Sequence, residues 1–80
     1  GMGAIRALRQ SKASIFFRAN NDLGSAKVQF ESGRTPAAAK ILGRKGEVSF
    51  TVTEDDRYQL LISDSQGRSN PQPQTYAIKV

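Results

Sequence analysis

Apolar and polar residues alternate along most of this 80-residue chain. Ala13, Ile15, Phe17 and Ala19 share one phase, and Ser14, Phe16 and Arg18 fall in the other. The same period of two runs through Ala26, Val28 and Phe30, then Val48, Phe50 and Val52. It returns in Tyr58, Leu60 and Ile62, and again in Tyr76, Ile78 and Val80. A strand turns successive side chains to opposite sides, so each run presents one apolar face. Valine, isoleucine, phenylalanine, tyrosine and threonine dominate these runs, and they pack well on a pleated surface. With a short opening segment around Ile5, the pattern predicts seven strands, at about 4–9, 12–19, 25–31, 38–42, 46–53, 57–63 and 74–80.

Turn chemistry separates the runs. "NNDLGS" at 20–25, "ESGRTP" at 31–36, "GRKG" at 43–46 and "TEDD" at 53–56 are polar and mostly glycine-marked. Glycine reaches positive φ, and asparagine and aspartate bond back to their own turns. In the longest break, "DSQGRSNPQP" at 64–73, Asp64 to Gly67 is expected to make the turn. Asn70-Pro71-Gln72-Pro73 is then expected to run extended into the last strand. "TPAAAKIL" at 35–42 reads two ways. Thr35 would cap a short helix that Pro36 opens and Gly43 stops, or the segment is an edge strand with Ala39 and Ile41 inward. The all-β surroundings favour the strand.

Many short strands, alternating on one side and separated by turns, argue for an all-β sandwich or a small barrel. Seven strands in this length match a seven-stranded immunoglobulin-like, or fibronectin type III-like, Greek-key sandwich. The expectation is one domain over residues 1–80, with no tryptophan and no cysteine pair at its centre. Phe17, Phe30, Phe50, Leu60 and Ile78 are then the main core residues, with Tyr76 on the same phase as Ile78. Tyr58 opens a late strand just after the acidic turn, where Greek-key sandwiches place a tyrosine whose hydroxyl ties back to the backbone.

Composition narrows the chemistry. The chain has no histidine and no cysteine, which removes the usual general base, zinc ligands and thiol nucleophile. No catalytic, cofactor-binding or metal-binding residue is nominated, and the expectation is a protein that is not an enzyme. Glu54, Asp55 and Asp56 form the one acidic cluster, but "TEDDRY" lacks the spaced oxygen ligands of a calcium loop. It reads as a solvated turn. The glycines miss the spacing of a phosphate loop. No run is long and apolar enough to cross a bilayer, so direct membrane insertion by this domain is not expected.

The formal net charge of +5 raises nucleic acid and anionic surfaces as partners. The basic residues are dispersed, however, and only Arg44 and Lys45 are adjacent. Most aromatics fall on the buried phase, which leaves few rings for base stacking and makes nucleic acid an unfavoured partner. Phe16 and Leu61 are out of phase with their apolar neighbours and are expected to form a small exposed patch. Together with Arg18, Lys27, Arg44 and Lys45 they make the candidate interaction surface. Its competing reading is a charged, solvated face.

The ending "FTVTEDDRYQLLISDSQGRSNPQPQTYAIKV" resembles Ig-like modules of large bacterial envelope proteins. The shared features are Tyr58 after a polar turn, the Asp64 to Gly67 turn, Asn70-Pro71, and the close Tyr76-Ala77-Ile78-Lys79-Val80. "IRALRQSKASIFFRANNDLGSAKVQF" is similar to their opening strands. The resemblance implies a non-catalytic structural or protein-interaction module, excised from a longer membrane-anchored chain and lying in the periplasm or outside the cell. A cytoplasmic setting stays open on composition. Gly1 before Met2 has the form of a residue left by tag cleavage, and Val80 is expected to be a cut in a longer chain rather than a natural terminus. Implied partners are neighbouring domains of the parent chain or another protein. The alternative is recognition of a glycan or anionic surface polymer through a basic sheet face, on Arg6, Arg18, Lys27 and Lys79.

Overall fold

The computed structural model describes residues 4–69 and 73–80. Two β-sheets face each other. The larger runs in the order β1 (Ile5–Arg6), β8 (Thr75–Lys79), β7 (Asp56–Asp64), β3 (Leu23–Phe30) and β4 (Ala37–Ala38). The smaller runs β2 (Lys12–Arg18), β6 (Lys45–Thr51) and β5 (Lys40–Leu42). All pairings are antiparallel except β1 with β8. The expected extended stretch from Asn70 to Gln72 lies outside the described residues.

One core fills the space between the sheets. Ile15, Val48, Phe50 and Val52 enter from the side of β2 and β6. Val28, Phe30, Tyr58, Leu60 and Ile78 enter from β3, β7 and β8. These are the residues that the period of two turned inward. Four aromatic rings run through this core in contact. Phe30 meets Phe50 edge-on at 5.0 Å, Phe50 lies 6.4 Å from Tyr58, and Tyr58 lies 5.4 Å from Tyr76. Such tilted and edge-on geometries suit the quadrupoles of the rings. Tyr58 is 1% exposed, and Tyr76 is half-buried at the end of the row.

Phe17 departs from the core expectation. It is half-buried at the margin of the cluster, near the end of β2, where its ring covers its cross-strand partner, Gly46.

The strand count also differs, with eight strands among the described residues rather than seven. The predicted strand at 38–42 is two strands, and the chain passes from the larger sheet to the smaller between them. Ala37–Ala38 pairs with β3, Ala39 N–H donates to the Ala26 carbonyl, and Lys40–Leu42 then pairs with β6. The helical alternative for 35–42 is not formed. The opening strand shrinks to two residues because the chain must cross to the other sheet. Ala7 still donates to the Lys79 carbonyl, and Gln10, at φ 71°, already donates to Val52.

The turns follow their composition. Asp64 accepts hydrogen bonds from the backbone of Gln66 and Arg68 and from Arg68 Nε, while Gly67 takes φ 83°. Leu42 and Lys45 close a two-residue hairpin whose first loop residue, Gly43, has φ 63°. That position of a tight hairpin favours glycine.

Candidate functional site

Each sheet has an outer face, set by which residues its strands turn away from the core. On β2 the inward residues are Ala13, Ile15 and Phe17, so Lys12, Ser14, Phe16 and Arg18 face out. Opposite them on β6 stand Thr51, Ser49, Glu47 and Lys45. Lys40 pairs with Glu47, and Leu42 with Lys45. The outer face of the smaller sheet is therefore crossed by the rows Arg18–Lys45–Leu42 and Phe16–Glu47–Lys40. A row through Ser14 and Ser49, whose hydroxyls lie 3.0 Å apart, follows.

Two large apolar side chains stand in water on this face. Phe16 is 70% exposed and Leu42 is 81% exposed. Cations surround them. Arg18, Lys40 and Lys45 are exposed and make no ion pair among the described residues, while Arg44 approaches Asp22 at 3.9 Å. Arg18, Ala19, Asn20, Leu42, Arg44 and Lys45 line an open depression of about 540 Å³.

The candidate surface read from the sequence is thus divided. Phe16, Arg18, Arg44 and Lys45 come together at one end of the smaller sheet. Lys27 and Leu61 are cross-strand partners on the outer face of the other sheet, where Leu61 is half-buried. Phe16 and Leu61 do not form one patch, because the whole core lies between the faces that carry them. Arg6 and Lys79 also pair on the larger sheet, away from Arg18. Leu42 and Lys40 escaped the sequence reading. Their phase opposite Ile41 is the signal, but it carries meaning only once 40–42 is known to be a strand.

The acidic cluster does not converge on a site. Asp55 accepts the backbone N–H of Val80, and Asp56 accepts the backbone and hydroxyl of Ser32 and the backbone of Arg57. Desolvation pushes the Asp56 carboxyl up, but the Ser32 and Arg57 hydrogen bonds and nearby Arg34 together hold it below its ordinary value. Asp64 is held low by the Arg68 backbone N–H first, against some desolvation, with Gln66 and the Arg68 side chain adding to it. Among the described residues, no group of three or more acidic, histidine or cysteine side chains is placed to hold a metal ion. No described helix is long and apolar enough to cross a membrane.

One further cation has a structural place that the sequence reading missed. Arg34 lies 4.5 Å above the Phe30 ring and donates to the Thr51 carbonyl. It joins the loop after β3 to the end of β6, closing one end of the core.

Comparison with protein-family models, with curated proteins and with solved structures returned no match.

Proposed function

We propose that this domain is a non-catalytic interaction module of a larger bacterial membrane-associated or extracytoplasmic protein, and that it docks a protein through the outer face of its smaller sheet. The observation that carries the reading is the exposure of Phe16 and Leu42 among Arg18, Lys40 and Lys45. Exposed apolar side chains ringed by polar ones are what a docking surface requires. The strand order supports an immunoglobulin-like Greek key. β2, β6 and β5 stand where such sandwiches place strands B, E and D, and β8, β7 and β3 where they place G, F and C. That arrangement recurs in modules that space or bind neighbouring domains.

The test is the size and location of the native protein. An antibody to this domain is used to blot fractionated source cells. A large band in the membrane fraction is expected. A small, soluble cytoplasmic band overturns the envelope setting.

A second reading rests on Phe16 standing two residues from Arg18 on the same outward, basic face. An aromatic ring next to cations also suits an anionic glycan. Retention on an anionic polysaccharide column that Phe16→Ala abolishes would favour it.

A further inference from the structure

We propose that the free edge of β2 takes up an extended, acidic protein segment as an added strand. The inference rests on the interaction-module reading and names the class of partner.

β2 pairs with β6 on one side, and among the described residues no strand pairs with its other side. Which residues face that edge follows from the ladder. Ala19 N–H donates to the Arg44 carbonyl, and Val52 N–H donates to the Ser11 carbonyl, both in the register of the β2–β6 pair. Antiparallel ladders alternate residues that bond their partner with residues that do not. Ala13, Ile15 and Phe17 are therefore the bonded ones. Lys12, Ser14, Phe16 and Arg18 direct their N–H and C=O groups along the free edge and their side chains onto the outer face.

Such an edge is a template for another strand. Charge decides which. A second copy of this chain paired antiparallel about Ile15 would set Lys12 against the other copy's Arg18 at both ends. Like charges directly opposite destabilise a pair. An acidic segment places carboxylates across from Lys12 and Arg18 and an apolar side chain across from Phe16. Lys45, beside Arg18, extends the same field, and Glu47 is the single outward carboxylate on β2, β5 and β6. Nucleic acids and lipid surfaces carry the charge but no backbone to match the row of edge donors and acceptors.

The probe is the blocked heptapeptide Glu-Thr-Ile-Thr-Thr-Val-Glu, acetylated and amidated, titrated into the isotope-labelled 80-residue chain. Binding is expected to slow amide exchange at Lys12, Ser14, Phe16 and Arg18 about tenfold or more, as solvent-facing N–H groups enter a ladder. Ala13, Ile15 and Phe17, already bonded, should change little. Lys12→Glu with Arg18→Glu should weaken binding about tenfold or more. Lys27→Glu with Arg57→Glu, an equal charge change on the other sheet, should stay within about twofold. Ser14→Pro removes one edge donor without touching the β6 ladder and should weaken binding with the fold intact. The proposal is overturned by absence of binding, by unchanged exchange at the four edge amides in the saturated complex, or by equal losses in the two double variants. None of these results alters the cell-fractionation outcome, so failure here is distinct from failure of the envelope setting.

Discussion

The ring of Phe17 occupies the space that a side chain at Gly46 would fill. The two residues are direct cross-strand partners, and a Cβ at Gly46 would lie 2.2 Å from Phe17 Cζ. The glycine weakens β6 locally, and the aromatic ring laid over it restores the cover. Gly46→Ala should therefore destabilise the domain by about 1–3 kcal/mol, because the ring must leave its place at the core margin. Phe17→Ala should relieve most of that clash. Denaturant unfolding of both single variants and the double variant gives the coupling. Additive effects would mean that the ring and the glycine do not share this space.

Phe16 and Phe50 should respond very differently to truncation. Phe50→Ala removes the ring between Phe30 and Tyr58 and should cost about 3–5 kcal/mol, enough to threaten so small a fold. Phe16→Ala should stay within about 0.5 kcal/mol, since its side chain stands in water. A large loss at Phe16 in thermal melts would mean that its ring is packed rather than solvated.

Arg34 acts through both its plane and its charge. Arg34→Ala should cost about 0.5–2 kcal/mol, by loss of the ring contact with Phe30 and of the bond to Thr51. Arg34→Lys keeps the charge but not the planar donor set, and should recover part of it. Full recovery by lysine, measured by chemical denaturation, would reduce the interaction to charge alone.

Acid should weaken the fold in a defined window. Asp56 and Asp64 are both held below their ordinary value of 3.8 in the folded chain. The unfolded chain then takes up protons first as pH falls, so stability drops as pH passes below about 4 and is unaffected by these groups near neutrality. Denaturation midpoints from pH 7 to pH 2 measure the effect. Asp56→Asn should flatten part of the slope, because its bonds to Ser32 and Arg57 no longer depend on ionisation.

Leu42 stands in water while its neighbour Ile41 is half-buried, yet no run long enough to set a phase surrounds them. Asp56 and Asp55 are neighbours in an acidic turn, but their partners Ser32 and Val80 come from distant parts of the chain. Local composition names such residues as turn formers and leaves their partners undetermined.

What the sequence by itself determined is the direction of side chains along each strand. Val28, Phe30, Val48, Phe50, Leu60 and Ile78 are inward because alternation is a property of the extended backbone, written in every second residue. Turn positions at Gly43 and Gly67 were equally legible, since they depend on the φ that one residue can adopt. Tertiary structure alone decided which strands share a sheet. It sent Ala37–Ala38 to one sheet and Lys40–Leu42 to the other, gathered Phe16, Leu42, Arg18 and Lys45 on one face, and put Leu61 on the opposite one. Pairing is a contest among distant segments for the same backbone groups and the same core, and a period of two is identical for every partner a strand can choose.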